Sequence, residues 1–470
     1  LHTMRATKFK TNLLAAVLQS DLSVDAATRN ALLPQVLRRG TRRRPDTADF
    51  MRSLDDLYGT SITADVTKKG ERHLLVFGVG VVNDAYLDGG EEMLREGFGI
   101  LRELMVEPAM EDSGLRADYV AQEKTNLRRR IESILDDKQA YAFRRCNEEM
   151  CRAERYAVSK LGRVEDIDAI TPDSLADWHG VAIREYPMDI FAIGDIEHAR
   201  AAELAVEAFE GLRRRPRSVG PASTRGPAPS SEPRRIVERM PVSQGHLVMG
   251  YRTGVTLASS DYPALLFANG VFGGYTHSKL FQNVRERASL AYFASSGIEQ
   301  TKGLMWVNAG IDFEAFDTAV GIIEEQLDDV QRGAITESEM ENTRRGLIRD
   351  IEMMRDQPSS LMDLALAGIV NSCPITAENL KQRISQVSVE DVVKVARGIQ
   401  LDTVYFLRNE EGSRDCLLYT SDAADDLLCV DLGGRRIIKK KKQQKKTLKE
   451  KATKSTNKRY SMSAPVETEM

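Results

Sequence analysis

One run of strand-like and helix-like stretches occurs twice in this chain, offset by roughly 215 to 230 residues, and this duplication limits the possible folds more than any other feature. Residues 11–19 (TNLLAAVLQ) read as a buried strand and are answered by 243–252. The helix and strand around 54–64 are answered by 279–284 with 288–292, and residues 73–81 by 303–311. The helical stretch 120–135 returns as 337–354, and the helix-to-strand unit 170–193 returns as 387–407. A period this long is wrong for a solenoid and right for a duplicated domain. Each copy mixes strands with blocks of helices, so the predicted class is α+β: two homologous domains, each an antiparallel-type sheet with helices packed on one face. Between them residues 212–233 carry five prolines and no apolar periodicity, which reads as a linker. The expected organisation is a first domain 1–211, a linker 212–233, a second domain 234–414 and a tail 415–470.

In the first copy a helix is expected over 25–37, ending on Arg38, Arg39 and Gly40, as suits a helix C-terminus. Pro34 lacks an N–H and should sit in a first turn or bend that helix. Further helices are expected at 47–58, 91–106, 114–135 and 140–158, with strands at 61–68 and 71–82 turned by Lys69-Gly70 and another at 187–194. The acids Glu91 and Glu92 suit a helix N-terminus.

Charge narrows the partners. The tail from Asp415 holds 13 Lys/Arg against 8 Asp/Glu, leaving 53 against 62 in residues 1–414. An acidic body argues against nucleic acid, which needs a basic face. The longest apolar run is about nine residues, short of the roughly 20 that span a bilayer, and no basic-then-apolar leader precedes the first strand. A chain without membrane contact, resident in the cytoplasm, is therefore expected. The chain starts on Leu1, which suggests that starting residues are missing. Cysteines 146, 151, 373, 416 and 429 form no C-x-x-C pair and fit a reduced compartment. Histidines 2, 73, 179, 198, 246 and 277 never fall at i, i+3 or i, i+4, so no helix offers a paired-imidazole metal site. Gly273-Gly274 before Ser278-Lys279 lacks the spacing of a phosphate loop and reads as a turn.

The most specific stretch is 272–292, where FGGYTHSKLF runs into QNVRERASLAY, with Arg285 seven positions before Tyr292. It resembles the Arg/Tyr element in the C-terminal half of insulinase/pitrilysin-type zinc peptidases. The likeness extends over nearly all of 11–411 and implies two such domains facing each other as half a clamshell. That family carries an inverted H-x-x-E-H helix before a Gly-Thr pair. Registered on Gly40-Thr41, this chain has Ala31, Pro34 and Gln35 at the His, Glu and His positions. The family's third ligand is a glutamate seven residues after another glutamate; Glu123 matches the first and Arg130 stands at the second.

A zinc peptidase needs two imidazoles, a carboxylate ligand and a carboxylate base. Ala31 has no donor, Gln35 offers a neutral amide and Arg130 brings positive charge, so no metal is expected in this chain. The resemblance implies a non-catalytic subunit that closes over a zinc-bearing H-x-x-E-H homologue, helps to enclose an unfolded peptide, and donates Arg285 and Tyr292 to the scissile carbonyl and its oxyanion. Zinc is then expected in the partner. The alternatives are a non-enzymatic peptide-binding or scaffold protein of the same fold, and a self-sufficient hydrolase using Glu123, which otherwise reads as part of a solvated helix face. The tail, from Cys416 onward, resembles translated adaptor read-through and is expected to be non-native.

Overall fold

Strand β2 (Thr11–Asp21) is an almost unbroken apolar run because it buries both faces. Leu14, Ala16 and Leu18 enter one core and Ala15 and Val17 another, the alternation that a pleated strand imposes. The computed structural model describes residues 1–88, 92–224, 226, 232–288 and 290–410; Glu91 and the tail 415–470 lie outside them.

Around β2 the first half builds a five-stranded sheet from β1 (His2–Arg5), β3 (Ser61–Lys69), β4 (Arg72–Val82) and β7 (Met188–Gly194), in the order β1-β7-β2-β4-β3. A short ribbon, β5 (Met110–Glu111) with β6 (Gly114–Leu115), stands apart. The second half repeats the plan with β8 (Arg234–Arg239), β9 (Gly245–Arg252), β10 (Ala291–Glu299), β11 (Leu304–Ile311) and β12 (Gln400–Arg408). Its order, β10-β11-β9-β12-β8, is that of the first sheet element for element, as the duplicated sequence leads one to expect. Both sheets are antiparallel except at one margin, where β1 runs parallel to β7 and β8 parallel to β12.

One face of each sheet carries helices of its own half. In the first these are α1 (Val24–Leu37), α2 (Thr47–Asp56), α3 (Met93–Val106), α4 (Ala117–Glu132), α6 (Pro172–Glu185) and α7 (His198–Phe209). In the second they are α8 (Tyr262–Asn269), α9 (Phe316–Arg332), α10 (Glu337–Arg355), α12 (Ala377–Ser385) and α13 (Val389–Ala396). The opposite faces are not left bare. Helix α5 (Lys138–Met150) of the first half lays Tyr141, Ala142, Cys146 and Met150 against Val248, Trp306, Tyr405 and Leu407 of the second sheet. Helix α11 (Pro358–Val370) of the second half lays Leu366 and Val370 against Ala15, Val17, Phe191 and Ile193 of the first. The expected helices on one face are present, and one helix is exchanged in each direction besides.

Several local expectations shift. Helix α3 starts at Met93, and the helix expected over 140–158 ends at Met150. Pro34 lies near the C-terminal end of α1, not in its first turn, so the Asn30 carbonyl has no N–H four residues on. Gly273 is not a simple turn residue: it belongs to a π-helical segment, Gly270–Gly274, and a Cβ there would lie 2.6 Å from Leu280 Cδ1 and Ser296 Oγ. No helix among the described residues is long and apolar enough to cross a membrane.

The β3–β4 and β10–β11 turns meet between the sheets. Gly70 there has φ +52°, and a Cβ on it would come within 2.3 Å of the Ala222 carbonyl, so both conformation and space require glycine. Beside it Lys302, its side chain 1% exposed, places Nζ 2.6 Å from Glu71 Oε1 and 2.6 Å from Glu154 Oε2 and donates to the Thr224 carbonyl. Arg252 extends the network from Glu154 (2.7 Å) to Asp402 (2.8 Å). Residues of the Pro-rich connection are thereby pinned: Thr224 Oγ1 donates to Glu71 and Gly220 N–H to Asp21.

Candidate functional site

Helix α1 packs on the outer strand β3, which brings Gln35 to that strand's edge. Its amide Nε2 donates to the Ala64 carbonyl (3.1 Å) and to Asp65 Oδ1 (3.2 Å). From α4, Arg130 reaches the same carboxylate with both terminal nitrogens, Nη1 to Oδ1 at 2.9 Å and Nη2 to Oδ2 at 2.8 Å, the bidentate fork that arginine favours. Partial burial by itself would raise the Asp65 carboxyl, but the hydrogen bonds from Arg130 and the Val66 N–H hold it below the usual range. Gln35 and Arg130, far apart in sequence, thus converge on one side chain. Ala31 does not join them: it is fully buried among Leu32, Leu33 and Leu37. Pro34 is buried in the same helix.

These residues do not fit a zinc ion. One position has no donor, the amide is already committed to Asp65, and the third is a cation. Among the described residues no three of His, Cys, Asp and Glu gather as a metal site. Asp65, the centre of the cluster, is the residue that sequence reasoning missed; its one signal is an acid inside the strand pattern SITADVTKK. Glu123 is also placed differently from expectation. Instead of belonging to a solvated face it is 7% exposed, 3.6 Å from Arg39 Nη1, with Asn126 Nδ2 donating at 3.1 Å. The inner face of α4 packs on α1, and Arg39 supplies the charge that lets a carboxylate sit there.

Across the chain, Arg285 and Tyr292 lie in unusual backbone. Arg285 is on a second π-helical segment, Phe281–Arg287, a rare conformation that concentrates at functional sites. Its guanidinium stacks over Phe281, 4.6 Å from the ring centre, with Glu286 at 3.7 Å, and the side chain stays 43% exposed. Tyr292 is on β10, the free edge of the second sheet. Ala291 pairs with Ile311 and Phe293 with Gly310, which makes Tyr292 the extra residue of a β-bulge, a device that re-aims a side chain. It is 69% exposed and makes no hydrogen bond among the described residues. The preceding loop is tied to α10: Tyr275 donates to Asp350 (2.7 Å) and stacks on His277, whose Nε2 meets Thr343 at 3.0 Å.

Comparison with known proteins adds the following. Residues 169–347 match the family model described as Peptidase M16 inactive domain. Over 412 residues, 88% of this chain and 96% of the relative, the sequence is 38% identical to the probable inactive metalloprotease YmfF of Bacillus subtilis strain 168. It is 29% identical over 244 residues, 50% of this chain and 55% of the relative, to the uncharacterized zinc protease Rv2782c of Mycobacterium tuberculosis H37Rv. A conserved protein from Enterococcus faecalis V583 superposes with a TM-score of 0.80 at 28% identity, covering 87% of this chain and 96% of that one. A protease from Helicobacter pylori shares the fold, with a TM-score of 0.71 at 16% identity over 86% of this chain and 96% of that one.

Proposed function

Since the chain belongs to the M16, or insulinase/pitrilysin-type, metallopeptidase family as an inactive-type member, we propose that it is the non-catalytic subunit of a two-chain peptidase. It closes over a zinc-bearing H-x-x-E-H homologue in the cytoplasm, encloses an unfolded peptide and presents Arg285 and Tyr292 to the scissile carbonyl. Charge develops on that oxygen in the transition state, and donors fixed in advance stabilise it. Arg285 contributes a guanidinium with its fixed fork of donors, and Tyr292 contributes a hydroxyl donor. The zinc, the base and the water belong to the partner.

The observation that carries this reading is Tyr292: a large side chain, 69% exposed on the bulged edge of a sheet, with no partner of its own among the described residues. Nothing in the fold requires it to be tyrosine.

The test is co-expression of the full chain with the H-x-x-E-H homologue of the same genome, followed by co-purification and cleavage of quenched fluorescent peptides. Cleavage should need both chains. Tyr292→Phe should lower kcat/KM by roughly 100-fold, as for loss of one oxyanion donor, and leave the melting temperature unchanged. Full activity from the partner alone, or a complex indifferent to Tyr292→Phe, would overturn the subunit reading and leave a peptide-binding scaffold.

A further inference from the structure

The Gln35–Asp65–Arg130 cluster gathers three elements, α1, β3 and α4, onto one carboxylate. Asp65 Oδ1 accepts from Gln35, Arg130 and the Val66 N–H, and Oδ2 accepts from Arg130. The nitrogen-to-oxygen separations between side chains are 2.8 to 3.2 Å. Ligand atoms around a tetrahedral zinc with bonds near 2.0 Å stand about 3.3 Å apart. The donor-to-carboxylate separations are thus close to the edge length of a small metal polyhedron, but Gln35 and Arg130 present N–H donors to Asp65 where metal ligands would present lone pairs. What a metal would supply, a positive centre shared by separate elements, is supplied by a guanidinium.

We infer that Arg130 is the resident cation of this half: it clamps α4 to β3 and α1 through Asp65, makes that junction independent of metal, and is itself the barrier to zinc. Exchanging the two donors for imidazoles turns the same three positions into a His, His, Asp ligand set. Arg130 is 38% exposed and Gln35 half-buried, so both exchanges can be made without opening the core in which Ala31 lies. The inference is independent of any pairing with a catalytic partner.

The test uses the full chain and Zn(II) alone, with binding followed by titration calorimetry and metal content after gel filtration. Gln35→His with Arg130→His should take up one zinc per chain, at least about 100-fold more tightly than Gln35→His alone, because a fixed positive charge within hydrogen-bond reach repels a dication even at high effective dielectric. Adding Asp65→Asn should abolish that uptake. Equal affinity with Arg130 retained would overturn the barrier, and no uptake by the folded double variant, or uptake indifferent to Asp65→Asn, would overturn the metal-like geometry. If the double variant does not fold, the clamp is read in the unmodified background. Arg130→Met with Asp65→Asn should then be no less stable than the worse single variant, and additive losses would overturn the clamp.

Discussion

Replacing Lys302 with alanine should lower the unfolding free energy by ~3–5 kcal/mol, the penalty for removing one partner of a buried ion pair. That is a large fraction of the roughly 5–15 kcal/mol that holds a typical domain together. The reason lies in what remains. Glu71 and Glu154 have side chains only 1% and 2% exposed, and each has the Lys302 ammonium at 2.6 Å. Without it two carboxylates face each other in low dielectric, with Arg252 able to serve only Glu154. Lys302→Met should be nearly as damaging, although it fills the space, which separates lost charge from lost volume. Adding Glu71→Gln to Lys302→Met should recover part of the loss. Urea denaturation of the full chain measures all three, and a loss below ~1 kcal/mol for Lys302→Ala would mean that the carboxylates find other partners.

Stability should also fall as pH drops from about 6.5 to about 4, with His73 contributing ~3 kcal/mol of that loss. His73 is fully buried, and burial pushes its imidazole from an ordinary value of 6.5 down to about 4. The hydrogen bonds around it favour the neutral ring as well. Asn30 Oδ1 accepts from Trp178 Nε1 (2.9 Å) and from the Tyr186 hydroxyl (3.3 Å), which fixes the orientation of that amide. Its NH2 group therefore points to Ser20 Oγ (3.1 Å) and His73 Nδ1 (3.2 Å). Nδ1 must accept, and protonating it would set an N–H against another donor. Because the folded state resists protonation while the unfolded chain does not, the contribution is complete above pH 6.5. It declines as pH falls toward 4 and changes no further below. His73→Phe should be less stable at pH 7.5 yet show a shallower decline between 6.5 and 4. An unchanged slope would assign the acid sensitivity elsewhere.

The duplicated plan could be read before any coordinates because it rests on local signals. Helix periodicity, apolar strands and capping survive in both copies, as at Thr171 and Ser388, each a reciprocal capping box opening equivalent helices. Strands β1 and β8 escaped notice since a margin strand needs little apolar surface: Arg234–Arg239 alternates half-buried with exposed and is mostly charged. The exchanged helix α11 did leave a mark, in LMDLALAGIV, a sequence apolar on nearly every side, which suits a helix packed between two layers. What it would pack against is a long-range fact with no local signature. The same distinction holds at the candidate site. Arg285 and Tyr292 are neighbours in sequence and could be found by spacing, whereas Asp65 gains its meaning from Gln35 and Arg130, 30 and 65 residues away. Glu123 reads as solvated in the sequence for a related cause, since its counter-charge, Arg39, comes from the turn that follows α1.

The crossing of α5 and α11 between the halves bears on how the proposed two-chain peptidase could admit a peptide. Each sheet has one of its two faces sealed by the other half's helix, through Cys146, Met150 and Tyr405 on one side and Phe191, Leu366 and Val370 on the other. Swinging the halves apart would pull both helices off buried aromatic and aliphatic surface at once, and nicking the backbone between them would leave a tightly associated pair. This chain is therefore a stiff jaw without a hinge at its middle. If the proposed two-chain peptidase opens to receive a peptide, it does so along the boundary between its two chains.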